Sequence, residues 1–251
     1  MSAAQILNAL DLPTGTRVDQ RIPKTLLVEN GARTAADKRL ITEGIERLQW
    51  HAAIKPTNSG VPEYRDTARH YVEIAVLELT LRPGAKADRL AELTHRAVPY
   101  PVILVTVSAD TTTISMVHKR WSQREADSVV LDGDVVTAQP YLTDDVSITA
   151  AFLGSLAIRL QPQTSLYSLY QGWIDTVLAL HAASLTGTFE AATTVELASA
   201  RRDALQECAT IEAEMTSLRA AARTKQFAGR AEINLELQRL KSRHVAALAQ
   251  L

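Results

Sequence analysis

The chain has 251 residues, 46% of them hydrophobic and 22% charged, with a formal net charge of −1. That length allows a sizeable core in one domain or two, and the near-neutral balance excludes the bulk excess of Lys and Arg that nucleic-acid binding draws on, though not a local basic patch. A lone cysteine, Cys208, excludes internal disulfides and multi-cysteine zinc sites.

Ser2 to Leu10 reads as a short helix closed by Pro13 and Gly15, with no signal-peptide pattern before it. An irregular basic segment follows, from Arg17 through Arg21 to Lys24. Thr34 supplies an N-cap, with Asp37 three residues on, for a helix running to about Leu48 on a stripe of Leu40, Ile41, Ile45 and Leu48. Trp50 to Lys55 fits a short strand before the turn-rich Pro56-Thr57-Asn58-Ser59-Gly60. Tyr71 to Leu81 is the clearest strand. It is apolar on both faces and stopped by Pro83-Gly84, which predicts a central place in a sheet covered on both sides. An amphipathic helix over 88–98 comes next. Pro101 to Val107 and Thr112 to Trp121 predict two strands joined by a turn at Asp110-Thr111, and Val129 to Ala138 an edge strand. Residues 1–142 are therefore expected to form an α/β (α+β) domain with a small mixed sheet of about four or five strands.

From Thr143 the strand signals stop. Residues 143–188 read as a helical connector: a helix over 146–160 broken by Pro162, then one from Ser165 to Leu185 carrying Leu166, Leu169, Tyr170, Trp173, Val177 and Leu180, ended by Gly187. Ile174 to Leu185 is too short and too polar, with Asp175 and His181, to span a bilayer, so a soluble cytoplasmic protein is expected. Residues 189–251 carry two apolar runs in coiled-coil spacing. Leu197, Ala204, Cys208, Ile211, Met215, Leu218 and Ala222 step by threes and fours with Arg201 out of character; Ile233, Leu237, Leu240, His244, Ala247 and Leu251 repeat the rhythm. Ala222 to Ile233 is eleven residues, a phase shift beside Gly229 that fits an antiparallel hairpin and also permits one long helix with a stutter. The hairpin is expected, because short-looped helix pairs are common.

Templates for chemistry find little. The six histidines show no metal-binding spacing, no phosphate loop or G-x-S-x-G elbow occurs, and no metal or cofactor is expected. The acidic strand around Glu73 and Glu78 invites comparison with PD-(D/E)xK nucleases, in which carboxylates hold Mg²⁺ and a lysine assists in activating water. Thr80 stands where that lysine belongs, and Glu73 and Glu78 alternate to opposite faces. A nuclease would therefore rest on Glu78, a carboxylate from Asp66 or Glu63, and Lys24 as a migrated base; Glu78 and Lys24 are the weak catalytic candidates. A satisfied ion pair with Arg82 or Lys119 is the plainer reading of such a glutamate. Arg17, Arg21 and Lys24 flank Ile22-Pro23, and His118-Lys119-Arg120-Trp121 ends a strand. If adjacent, they would form a phosphate-binding ledge, and otherwise solvated cations. Arg223, Lys225 and Arg230 crowd the expected hairpin tip.

Taken in order, several segments resemble the bacterial family catalogued as domain of unknown function 4391. They are Leu12-Pro13, Arg21-Ile22-Pro23-Lys24, Trp50, Lys55-Pro56, the Glu73 to Arg82 strand, Val98-Pro99-Tyr100-Pro101, His118-Lys119, Gln226-Phe227, and Arg230 through Asn234 to Lys241. The likeness spans almost the whole chain. It implies an accessory role rather than a mechanism, since members are often encoded beside helicases and DNA methyltransferases in restriction-like or anti-phage defence clusters. The expectation is a non-enzymatic adaptor that docks a helicase or methyltransferase, or a second copy of itself, through an arm comprising Ile211, Met215, Leu218, Phe227, Arg230, Asn234, Leu237 and Leu240. A surface of Arg21, Lys24, Trp50, Lys55, Lys119 and Arg120 is expected to meet a partner or DNA. The alternatives are a divergent metal-dependent nuclease and a DNA-binding subunit.

Overall fold

The computed structural model describes residues 2–109, 111–123, 128–140, 146–222 and 227–251, and of 227–231 the backbone alone. Ser2 starts the first helix, α1 (Ala3–Ala9), with a capping box: its hydroxyl accepts from the Gln5 N–H while the Gln5 amide oxygen accepts from the Ser2 N–H. In chain order there follow β1 (Arg17–Arg21), α2 (Lys24–Gly31), α3 (Ala35–Gly44), β2 (Ile45–Ile54), α4 (Pro56–Ser59), β3 (Tyr64–Arg65), β4 (His70–Tyr71), β5 (Ile74–Leu81) and α5 (Ala87–Ala97). Then come β6 (Val102–Ser108), β7 (Thr111–Trp121), β8 (Val129–Ala138), α6 (Val146–Ser155), α7 (Leu166–Thr186), α8 (Val195–Ala222) and α9 (Phe227–Leu248).

Six strands make one mixed sheet in the order β1-β2-β5-β6-β7-β8, parallel only between β5 and β6, which α5 connects; β3 and β4 form a separate ribbon. Alternation along the central strands feeds two cores. Ile74, Val76, Ile103 and Val105 pack under α1, α6 and α7 with Phe152, Tyr170 and Trp173. Ala75, Leu77, Leu79, Val102 and Leu104 pack under α2, α3 and α5 with Leu27, Ile41 and Leu90. The sheet is thus covered on both sides, as the two-faced apolar run of β5 predicts. Helices α6 and α7, from the expected connector, supply one of those two covers.

The sheet is larger than expected, for two local reasons. Ile41, Ile45 and Leu48 keep helical spacing, but α3 ends at Gly44, whose absent Cβ would lie 2.8 Å from Leu90 Cδ1. From Ile45 the backbone is extended and pairs with Leu81, so β2 takes ten residues, where only Trp50 to Lys55 were expected. The segment expected to be irregular, Arg17 to Arg21, is edge strand β1; its polar, bulged course, with Asp19 at φ +49°, carries no apolar alternation and blunts a free edge. Helix α2 was not foreseen, because it buries only Leu27 and Gly31. Tyr71, expected to open the central strand, belongs with His70 to the β3–β4 ribbon instead. The helix over 146–160 stops at Ser155 and resumes as a 3₁₀ turn at Ile158–Leu160. The turn at Asp110 lies outside the described residues.

At the C-terminus α8 and α9 pack against each other antiparallel: Leu205 and Leu251 share the core at the base while Leu218 and Leu237 flank one cluster further out, and Glu207–Arg243 and Glu212–His244 pair across at 3.3 and 3.1 Å. This is the hairpin arrangement rather than one continuous helix. Ile211, Met215 and Leu240 form a small core of their own, flanked by Leu218 and Leu237. Among the described residues the pair joins the body at its base, through Leu205, Leu251 and the Arg202–Asp175 ion pair at 2.5 Å.

Candidate functional site

A mainly apolar pocket lies between α2, the β1–β2–β5 floor and the chain leaving α5. Helix α2 meets α5 at Gly31, where a Cβ would come 2.7 Å from the Leu93 carbonyl oxygen and 3.0 Å from Ala97 Cβ. Beside that contact the small side chains of Ala75 and Ala97 leave a cavity of about 310 Å³, walled by Ile22, Pro23, Leu26, Leu27, Trp50, Leu77, Pro99 and Tyr100. The Trp50 indole N–H donates to the Ala52 carbonyl at 2.8 Å, and the Asn30 amide donates to the Leu26 carbonyl at 2.9 Å. Those two N–H groups are thus committed to backbone; Gln20 and the rest of the Asn30 amide also line the cavity, whose surface is otherwise mainly apolar.

The mouth is basic. Arg21 borders the cavity and also a neighbouring cleft of about 320 Å³ that reaches Lys24, Glu46 and Arg47. The Lys24 ammonium donates to the carbonyls of Thr42, at 3.3 Å, and of Ile45. Burial, then the neighbouring Arg82 and Arg21, hold its pKa below the ordinary lysine value, against an opposing pull from Glu46. No ion-pair partner for Arg21 occurs among the described residues. Of the sequence candidates, Arg21 and Trp50 therefore line the cavity, and Lys24 lines the cleft adjoining it through Arg21. The segments carrying Tyr100 and Leu26 complete the cavity; Leu26 was missed because an exposed leucine on a weakly patterned helix sends no signal.

The other candidates lie elsewhere. Lys119 is buried and donates to the carbonyls of His95 and, at 2.7 Å, Val98, closing the C-terminal end of α5 directly behind the cavity wall. Burial pushes its pKa down to about 7. Arg120 pairs with Asp132 at 3.4 Å, and Lys55 with Glu73 at 3.0 Å. The expected ledge is not assembled, because β2, β5 and β6 separate β1 from β7. His118 faces the opposite side of the sheet from Lys119. There it accepts from the Tyr71 hydroxyl at 2.6 Å through Nδ1, contacts Gln171 Oε1 at 2.8 Å through Nε2, and stacks on Tyr167 at 4.7 Å. Burial lowers its pKa, which favours this neutral arrangement.

The nuclease constellation is not brought together. Glu78 shares the Val76 face and is held by Arg47 at 2.9 Å and His51 at 3.1 Å, whereas Lys24 opens a helix packed on the other face. Asp66 accepts from the N–H groups of Ala68 and Arg69 and from the Tyr64 hydroxyl, and Glu63 lies 3.9 Å from His70. Among the described residues no group of three or more His, Cys, Asp or Glu is placed to hold a metal ion, and no helix is long and apolar enough to cross a membrane.

In the arm, Ile211, Met215 and Leu240 are buried within the helix pair, so they build the arm rather than its outer face. Asn234 is exposed and beside it Leu235 is 58% exposed, with Val245 exposed further along α9. The side chains of Phe227 and Arg230, with Arg223 and Lys225, lie outside the described residues. Fold and site together define a mixed α/β protein with an apolar, cation-rimmed pocket and an appended helical arm. The model of the family described as Domain of unknown function (DUF4391) matches residues 10–243, and the chain belongs to that family. No curated protein and no solved structure matches it.

Proposed function

We propose that the chain is a non-enzymatic docking subunit of a bacterial restriction-like or anti-phage defence system, working in the cytoplasm and holding a helicase or DNA methyltransferase. The observation that carries this reading is the α8–α9 pair, whose outer half has its own small core and stands apart from both cores of the sheet. From Cys208 to Ala222 that half extends about 20 Å at 1.5 Å per residue. A projection of that length, closed on itself yet bearing Leu235 and Val245 outward, suits a partner contact better than it suits body stability. The family resemblance supplies the partner class. The engagement of Glu78 and the distance of its face from Lys24 count against the nuclease alternative.

The test is co-purification of the chain with a helicase or DNA methyltransferase, should one be encoded beside it. Leu235→Asp and Val245→Asp are exposed changes that leave the fold intact and are expected to release the partner. Undiminished co-purification with both substitutions would remove the arm as the docking element. A complex containing only copies of this chain would replace the enzyme partner by self-association.

A further inference from the structure

We propose that the pocket between α2 and α5 is a second docking point, taking one bulky apolar side chain from an acidic segment of a partner protein. The proposal deepens the docking reading and rests on it for the existence of a partner, but it uses a different part of the molecule.

Three observations lead to it. The cavity, about 310 Å³, suits one large side chain, and its apolar wall rewards burial of such a group. Leu26, 47% exposed on the wall, is left half-covered in the free chain. The mouth carries Arg21, free of any ion pair among the described residues, and the adjoining cleft that Arg21 also borders carries Lys24 and Arg47. Glu46 is the carboxylate lining that cleft and Arg47 is paired with Glu78, so Arg21 and Lys24 leave the rim locally positive on a chain whose net charge is −1.

Charge complementarity therefore asks for an anionic ligand, and the wall decides which kind. A nucleobase buried here would set most of its polar edge against Ile22, Leu26, Leu27 and Leu77, with the Trp50 N–H already bonded to Ala52 and only Gln20 and part of the Asn30 amide left to meet it. Unpaired, that edge would oppose binding. A phenyl or branched aliphatic side chain has no such edge, and flanking Asp or Glu would meet the cations at the rim.

The experiment is selection of a randomised peptide library on the immobilised full-length chain, followed by affinity measurement on a selected peptide. Enriched peptides should carry Phe, Trp, Leu or Ile next to Asp or Glu. Replacing that bulky residue by Ala should weaken binding at least about tenfold. Arg21→Glu should weaken it about fivefold or more, with the loss shrinking as salt rises. Leu26→Asp, also at an exposed position, should abolish it, whereas Leu235→Asp in the arm should change nothing. Absence of enrichment, enrichment of basic or wholly polar peptides, or wild-type affinity in both pocket variants would overturn the proposal. Displacement of the peptide by a short DNA single strand from the Arg21 mouth would assign the site to nucleic acid and overturn it equally. If the pocket variants fail to act while Leu235→Asp still releases the enzyme partner, the docking function stands and only this site falls. A working pocket with an indifferent arm gives the converse.

Discussion

The sheet body and the α8–α9 arm both bury apolar side chains, but to different depth, and the difference separates what holds the molecule together from what it can offer a partner. In the body each central strand feeds two cores, and the largest polar aromatics inside are hydrogen-bonded: Tyr170 donates to the Val102 carbonyl and accepts from the Val117 N–H, and the Trp173 indole donates to the Leu156 carbonyl. In the arm the apolar cluster shrinks to Ile211, Met215 and Leu240, and beyond it the seam buries mostly small side chains such as Ala204, Cys208 and Ala247, with Ile233. Cooperative unfolding should therefore be a property of the body, with the outer arm opening locally at lower free energy.

The largest expected effect tests this directly. Trp173→Ala, at a fully buried position, should cost about 3–5 kcal/mol and lower hydrogen-exchange protection throughout the sheet. Ile211→Ala, equally buried, should cost about 2–5 kcal/mol locally, with faster exchange confined to α8 and α9 beyond Cys208. Equal loss of protection in β5 and β6 from both variants would make arm and body one cooperative unit.

Next in size is Gly31→Ala at the crossing of α2 and α5. The added methyl meets the Leu93 carbonyl oxygen at 2.7 Å, a backbone atom that cannot step aside cheaply. A net destabilisation of about 1–3 kcal/mol is expected in denaturant unfolding, after an offset of about 1 kcal/mol from better helix propensity. A neutral or stabilised variant would show that α2 sits loosely, and the pocket walls with it.

The same contrast governs what could be read from the sequence. Ile74 to Leu81 announced itself as a covered central strand because Ile74, Val76, Leu77 and Leu79 leave no polar face. The arm announced itself through spacing, since a two-helix seam is a one-dimensional pattern. Edge elements did not: β1 is exposed along most of its length, and the start of β2 imitates a helix through Ile41, Ile45 and Leu48 until pairing with β5 overrides it. Arg21, Lys24, Trp50 and Tyr100 were each visible, but from separate segments. Only the fold shows that Arg21, Trp50 and Tyr100 line one cavity with Lys24 in the adjoining cleft, and that Lys119 and Arg120 do not join them.

Lys119 gives a pH-dependent test within the body. Its ammonium is buried, with a pKa of about 7 against an ordinary 10.5. Below pH 7 both folded and unfolded chains hold the proton, and the burial penalty is fully present. Between 7 and 10.5 the unfolded chain binds the proton more tightly, so stability rises with pH, by at most about 1.4 kcal/mol per unit. Lys119→Met should flatten that rise when unfolding is compared at pH 7 and pH 9, while costing some stability through the uncapped His95 and Val98 carbonyls. An identical pH dependence in both proteins would mean that Lys119 is charged and solvated in the folded state.

The smallest effect on stability discriminates most about function. Leu235 and Leu237 are neighbours on α9, yet Leu235 is 58% exposed and Leu237 packs against the Ile211–Met215–Leu240 cluster. Leu235→Asp should leave stability within about 0.5 kcal/mol of the parent chain, whereas Leu237→Asp should loosen the helix pair. If both release the enzyme partner, the outward face itself makes the contact and the arm's core serves only to hold that face. If Leu237→Asp alone releases it, the partner needs an intact arm but touches another side of it. The exposed Asn234 and the outer face of α8 would then be the next positions to change. Retention of the partner by both variants would leave the arm without a docking role.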